Sequence, residues 1–321
     1  MSGCTHNLKQ AFKTFSSCEF DSVDKIITRG AHADLVCGVL KTLRPRKKVA
    51  IKAFRQVSPT RDRIIIENEL GIWRLLCDHP HIASFIGIAP VDSYNPRYLS
   101  PGPVSDYYIH GDLNMYLYKV DPAVTDYRMR FKLLIGVIRG LAYIHSQSIV
   151  HGDLKAGNVL FDGDLHEARI CDFGSARIEC GCYSGPKARA GTMAWESPEL
   201  WMDNDDIESE DEEEEEKEKE DTIRPRTQKS DIWAFGCVAL EVQLGTTPWD
   251  PKHEGNLWKM HMRQSRAGSG YPAKESDIEF DQNFIMEEVW GMMKRCWNAN
   301  PLLRPASDVL LNDCEVLAKR L

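Results

Sequence analysis

Apolar positions between Val23 and Lys52 come in short runs: Ile26-Ile27, Leu35-Val36, Val39-Leu40 and Val49-Ala50-Ile51. Gly30, Gly38 and the polar Arg44-Pro45-Arg46-Lys47-Lys48 separate them, a pattern that predicts strands joined by tight turns. From Ile64 to Cys77 the spacing becomes helical and stops before His79-Pro80, where proline disfavours helix in the residue ahead of it. Strands are predicted again over Ile82–Ile88 and Pro103–Tyr108. Tyr127–Ser146 predicts a long amphipathic helix with Phe131, Leu134, Ile138, Leu141 and Ile144 on one face. Beyond Pro198, helices are predicted over Asp231–Leu244, Met286–Trp297 and Ala306–Leu321. Strands first and helices afterwards imply an α+β arrangement of two unlike lobes, with no internal repeat. Residues 1–20 read as a tail in which Leu8, Phe12 and Phe15, at i, i+4 and i+7, predict a helical turn or two against the body.

The 321 residues are 42% hydrophobic and 27% charged, which suits one large two-lobed domain. No window offers about 18 uninterrupted apolar residues, so a membrane-spanning helix is not expected. The first twenty residues lack the apolar core of a secretory signal. Ten cysteines without a framework spacing read as reduced thiols, so the expected location is intracellular and cytoplasmic. The basic cluster at 44–48 leaves the nucleus open, although strands on either side make a solvated hairpin turn the simpler reading.

Formal net charge is −8, but Asp203 to Asp221 holds 14 Asp and Glu against 2 Lys. Removing that local −12 leaves +4 for everything else, a near-neutral body that gives no reason to expect nucleic-acid binding. So acidic a run cannot bury enough apolar surface to offset the entropy of ordering it, and residues 203–226 are expected to form a disordered surface insert. Its two readings are a replaceable solvated loop and a docking arm for a basic partner.

The densest chemistry lies in His151-Gly152-Asp153-Leu154-Lys155-Ala156-Gly157-Asn158, followed fourteen residues later by Asp172-Phe173-Gly174. Three oxygen-bearing side chains and a lysine on two adjoining loops suit phosphoryl transfer. Asn158 and Asp172 can supply oxygens to Mg²⁺, a hard cation that takes its remaining ligands from phosphate and water. Asp153 can accept a hydrogen bond from an incoming hydroxyl, and Lys155 can neutralise charge on the transferred group.

At this point the chain resembles the eukaryotic-type protein kinases, in the tyrosine-kinase-like group. Val49-Ala50-Ile51-Lys52 is similar to the family's third strand with its phosphate-anchoring lysine, and Glu69 to the helix glutamate that pairs with it. Ser197-Pro198-Glu199 stands where the family has Ala-Pro-Glu, and Asp231-Ile232-Trp233-Ala234-Phe235-Gly236 matches its buried helix. Cys296-Trp297, Pro301 and Arg304-Pro305 match the ending. Singly, Lys52 would be an edge-strand lysine, Glu69 a solvated helix residue and Asp153 a turn former; the order and spacing over residues 23–320 carry the resemblance.

The resemblance implies a bilobal fold, with an N-lobe over 21–104, a hinge at 105–108 and a C-lobe over 109–321. ATP and Mg²⁺ would lie between the lobes, against Gly30, Leu35, Ala50 and Lys52 and the hinge residues Asp106, Tyr107 and Tyr108, with Ser105 behind the base. Lys52, held by Glu69, would anchor the phosphates; Asn158 and Asp172 would hold the metal; Asp153 and Lys155 would act on the hydroxyl and the phosphoryl group. Protein substrates and a monomer are expected. Lys155 and the segment Gly191-Thr192-Met193-Ala194-Trp195 resemble the serine/threonine pattern, with dual specificity as the alternative.

Two departures stand out. The family's three loop glycines fall at Thr28, Gly30 and Ala33, so one survives, and nucleotide binding is expected to be weaker. Gly152 replaces an arginine that in the family pairs with an activation-loop phosphate, so activity independent of that pair is expected; the same His-Gly-Asp string is similar to fungal members. The rival readings are a pseudokinase scaffold and a small-molecule phosphotransferase of related fold, which shares the His-Gly-Asp string but not Ser197-Pro198-Glu199 or Arg304. Cys180-Gly181-Cys182 lacks a second pair for a structural zinc site, which leaves bystander thiols or a redox switch.

Overall fold

The structure, a computed structural model, describes residues 12–30, 33–41, 46–55, 59–92, 95, 97–179, 191–200, 225–249, 271–275 and 284–320. The acidic insert through residue 224, the Cys180 and Cys182 pair, Leu8 and Arg44-Pro45 lie outside the described residues. The first lobe is an antiparallel sheet of β1 (Phe20–Arg29), β2 (Ala33–Leu40), β3 (Lys47–Arg55), β4 (Gly87–Ala89), β5 (Tyr98–Leu99) and β6 (Gly102–Asp106). Its order is β1-β2-β3-β6-β4, with β5 added to the end of β3. Strict alternation along β2 sends Val36 and Leu40 into an apolar core shared with Phe20, Val49, Ile51 and Val104. Leu35 pairs with Lys52, and Ala50 with Ser105, on the opposite face, which looks onto the cleft between the lobes.

Helix α1 (Pro59–Leu76) packs beside this sheet. Its buried stripe runs through Ile65, Ile66, Leu70, Ile72, Trp73 and Leu76, and Glu69 falls inside that stripe, buried at 2% exposure. A carboxylate on the apolar face of a helix requires a partner, which the site below supplies.

Strand β6 ends at Asp106, so Tyr107 and Tyr108, expected within a strand, form the link to the second lobe. The strand expected over Ile82–Ile88 is confined to Gly87–Ala89. Residues 83–86 instead cross between lobes, with the Ala83 amide donating to the Ile170 carbonyl and the Ile86 amide to the Val104 carbonyl, both at 2.8 Å. Phe12 and Phe15 are also not helical: Thr14 bridges Ile88 in parallel, the Phe15 amide donates to the Ile88 carbonyl, and Phe15 is buried.

The second lobe contains α2 (Leu113–Met115, continued by a π turn over Tyr116–Val120), α3 (Tyr127–Ser146), α4 (Gln228–Leu244), α5 (Phe284–Cys296) and α6 (Ser307–Ala318). Short pairs β7 (Ile149–Val150) with β10 (Arg177–Ile178) and β8 (Val159–Asp162) with β9 (Glu167–Ile170) carry the functional loops. Helix α3 keeps its predicted bounds, capped by Asp126, whose side chain accepts from the Met129 amide. Helix α4 is buried on every side, as expected of a helix apolar all round, and ends at Gly245 with φ of 64°. The polar residues it carries, Asp231, Glu241 and Gln243, are therefore inside the protein, and the first two organise the site.

Candidate active site

Asp231 is the post on which the catalytic loop hangs. Its Oδ2 accepts the His151 amide at 2.8 Å and its Oδ1 the Gly152 amide at 2.9 Å. His145 Nε2 lies 3.0 Å from the same carboxylate. Gly152 has φ of 80°, and a Cβ there would stand 2.6 Å from the Ser175 carbonyl oxygen, so glycine takes up this turn without the strain an L side chain would carry.

Asp153 follows, and its two carboxylate oxygens each take two donors. The Thr192 amide and hydroxyl both donate to its Oδ1 at 2.8 Å. Lys155 Nζ and Asn158 Nδ2 both donate to its Oδ2 at 2.9 Å. Lys155 also bonds the Thr192 hydroxyl oxygen, which closes a ring of three side chains.

Across the cleft, Lys52 Nζ donates to Glu69 Oε1 at 2.6 Å and to Asp172 Oδ1 at 2.8 Å. Burial alone would lower the Lys52 pKa, but the charges of Asp172 and Glu69 outweigh it and raise it, so the ammonium persists. In turn Lys52 holds the Asp172 carboxyl down at about 2. Asp172 sits at φ of 64°, a left-handed conformation that Asp tolerates better than most residues and that turns the chain sharply into Phe173. Phe173 is fully buried in a column of rings, 6.3 Å from Trp73 and 5.5 Å from His151, with Phe85 5.4 Å beyond Trp73. His151 Nε2 lies 3.1 Å from the Cys171 carbonyl oxygen, tying the two loops together.

The loop at Thr28, Gly30 and Ala33 is drawn tight by its flank. The Gly30 amide donates to the Ala33 carbonyl at 2.8 Å, and Arg55 donates to the Gly30 carbonyl. Arg55 also donates to Asp34 Oδ1, and the Tyr98 hydroxyl to Asp34 Oδ2, both at 2.8 Å. In the link, the Asp106 amide donates to Ser84 Oγ at 3.0 Å, and the Tyr108 ring packs against the Arg169 guanidinium.

Glu241 escaped the sequence reading. Its Oε2 accepts the Ala156 amide at 3.1 Å and Trp195 Nε1 at 2.8 Å, linking the catalytic loop to the segment after Thr192. Burial pushes its carboxyl up to about 7. Because the folded state holds this proton above pH 4.5 while the unfolded chain releases it, the group's contribution falls as pH rises from about 4.5 to 7. The total loss is on the order of 3 kcal/mol. Glu241→Gln keeps an oxygen acceptor for both donors, so its denaturation midpoint relative to the parent should rise between pH 5 and pH 8. Parallel urea titrations at the two pH values check this; a constant offset would refute it. The sequence signal was available, as a lone carboxylate in an otherwise apolar stretch of α4.

The protein kinase domain profile matches residues 23–314, and that span takes in every side chain just described. The chain belongs to the protein kinase domain family. The serine/threonine/tyrosine-protein kinase HT1 of Arabidopsis thaliana is 27% identical to this kinase over 281 residues, covering 86% of it and 61% of HT1. The serine/threonine-protein kinase CTR1 of the same plant is 28% identical over 244 residues, covering 75% of this kinase and 25% of CTR1. The tyrosine-protein kinase receptor TYRO3 of Gallus gallus is 26% identical over 249 residues, covering 76% of the chain and 25% of the receptor. The chain spans 61% of the length of HT1 and about a quarter of the other two.

Kinases of the family use ATP with a divalent cation, and the residues present fit such a pair. Asn158 commits its amide nitrogen to Asp153, and Asp172 commits Oδ1 to Lys52. Asn158 Oδ1 and Asp172 Oδ2 make no hydrogen bond to the described residues, which leaves one neutral and one charged oxygen. No group of three or more His, Cys, Asp or Glu gathers among the described residues. A two-oxygen site suits a hard cation that takes its other ligands from phosphate and water. No helix among the described residues is long and apolar enough to cross a membrane.

Proposed function

We propose that this kinase transfers the γ-phosphoryl group of ATP, with Mg²⁺, to serine and threonine hydroxyls of protein substrates. The observation that carries the reading is the ring of Asp153, Lys155 and Thr192, in which the lysine touches both the carboxylate and the threonine. Asp153 orients the incoming hydroxyl and accepts its proton, and Lys155 neutralises charge on the transferred group. Lys52, fixed by Glu69, anchors the phosphates of the nucleotide. Gly30, Leu35, Ala50 and the link Asp106–Tyr108 enclose its base and ribose. Asn158 and Asp172 hold Mg²⁺, which when bound offsets phosphate charge. Thr28 and Ala33 leave the loop less backbone freedom than glycines would, and the Arg55 tie to the Gly30 carbonyl fixes its flank.

A second reading, a scaffold that binds nucleotide weakly, is favoured by Thr28 and Ala33. The deciding experiment is Mg²⁺-dependent transfer from labelled ATP to a general protein acceptor, followed by phospho-amino-acid analysis. Labelled phosphoserine and phosphothreonine without phosphotyrosine are expected. Phosphotyrosine alongside them would make the kinase dual-specific, and no transfer by folded protein would favour the scaffold. The charge of the acidic run, Asp203–Asp221, suits a basic partner.

A further inference from the structure

Gly152, Gly191, Glu196 and Arg226 pack together beside the reacting ring. Arg226 and Glu196 are both buried, at 7% and 9% exposure, and the Arg226 Nη2 meets Glu196 Oε1. The same carboxylate oxygen accepts the Gly191 amide at 3.0 Å. A Cβ on Gly191 would stand 3.0 Å from that oxygen and from the Gly152 carbonyl oxygen, and 3.2 Å from Arg226 Nη2. A Cβ on Gly152 would lie 3.3 Å from Arg226 Cδ. The two glycines therefore make the room that the ion pair fills, and the guanidinium stem lies directly over the catalytic-loop turn.

The pair is anchored at both ends. Arg226 precedes Thr227, whose side chain caps α4 by accepting the Ser230 amide. That helix also carries Asp231, the acceptor for the Gly152 amide. At the other end Glu196 holds Gly191, and Thr192, the next residue, gives both its amide and its hydroxyl to Asp153. One continuous path thus runs from α4 through Arg226, Glu196 and Gly191-Thr192 to the carboxylate proposed to accept the substrate proton. Both charges are removed from water, and breaking a buried pair of this kind is strongly destabilising.

We propose that Glu196 and Arg226 are positioning residues, an internal ion pair that keeps Gly191 to Trp195 seated on Asp153 without any added phosphate. The functional half of this inference rests on the phosphoryl-transfer reading above; the structural half does not. It supplies a source for the order that Gly152, having no side chain, cannot give.

The test combines exchange and kinetics on the full chain. In Glu196→Gln, hydrogen exchange at the Gly191 and Thr192 amides should quicken by at least about tenfold, while exchange within α3 and α4 stays as in the parent. Turnover of the protein acceptor should fall by roughly 10- to 100-fold through kcat, with nucleotide affinity unchanged, because the substrate-side geometry moves and Lys52 does not. Arg226→Lys keeps the charge and should recover most of the loss seen in Arg226→Met. Phosphatase treatment of the parent should leave its activity intact. Unchanged exchange at Gly191 and Thr192 in Glu196→Gln would overturn the proposal, as would loss of the parent's activity on dephosphorylation. If the parent transfers no phosphate at all, the phosphoryl-transfer reading fails, and the exchange measurement still decides whether the pair seats this segment.

Discussion

Asp153→Asn should leave nucleotide affinity unchanged and lower kcat for phosphoryl transfer by roughly 10²- to 10⁴-fold. Asparagine is isosteric and neutral. Its oxygen can still accept the Thr192 amide and hydroxyl, so the segment on that side keeps its seat. Its nitrogen then faces Lys155 Nζ and Asn158 Nδ2, two donors now at 2.9 Å from an acceptor oxygen. The base is lost and the lysine loses the carboxylate that aims it. Nothing on the Lys52, Glu69 and Asp172 side of the cleft is touched. Steady-state kinetics with labelled ATP, beside a nucleotide titration and a thermal melt, separate loss of chemistry from loss of fold. Activity close to that of the parent would remove Asp153 from the reaction.

The side chains of this site were legible in the order and spacing of motifs that resemble the kinase family, not one by one, since Glu69 alone reads as a solvated helix residue. In the folded chain Glu69 breaks the apolar stripe of α1, and Asp153, Asn158 and Asp172 concentrate oxygens between apolar strands. Burial of Glu69 at 2% exposure beside Lys52 follows from that conflict: an acid on a core face persists only where a cation reaches it. Long periodic elements were also plain from spacing, α3 to the residue. Positions 83–86 were not. Their apolar composition suits a strand, but their amides are used between lobes, a tertiary demand that leaves no period in the sequence. Phe12 and Phe15 show the opposite fault. Their spacing is helical, yet sheet edge β4 offers the chain backbone partners, and extended pairing places Phe15 in the core.

The Glu196–Arg226 pair was the least visible. Glu196 and Arg226 stand thirty residues apart with the acidic insert between them, and neither has a neighbour in sequence that marks it. Only packing beside two glycines gives them meaning. Gly152 could be read as a departure from the family pattern, but not as the space that another residue's side chain occupies. The tie from Arg55 to Gly30 and Asp34 was hidden in the same way, since it joins the end of β3 to the turn between β1 and β2.

The pair Arg304–Glu199 should dominate the stability of the second lobe, and Glu199→Gln should cost about 3–5 kcal/mol. Arg304 is buried at 2% exposure and grips Glu199 with both guanidinium ends, Nη1 to Oε1 and Nη2 to Oε2, each at 2.7 Å. Its Nε and Nη1 also donate to the Asn298 and Lys229 carbonyls at 2.9 Å, and the guanidinium lies 5.1 Å from the Trp233 ring centre. Glutamine can accept one of the two bonds but cannot balance the charge, and no water reaches a cation so placed. For a chain of 321 residues the loss corresponds to a melting temperature roughly 4–8 °C lower. Arg304→Met alone should be comparably damaging, because it abandons Glu199 together with two backbone carbonyls. Combining Glu199→Gln with Arg304→Met removes both charges and fills the volume, so the double variant should melt above either single one. It should still fall short of the parent, since the Asn298 and Lys229 carbonyls keep no donor in the arginine's place. Melting curves of all four proteins measure the coupling directly. A double variant whose loss equals the sum of the single losses would mean that the two side chains act independently, and that the segment beginning at Ser197 is held by something other than this pair.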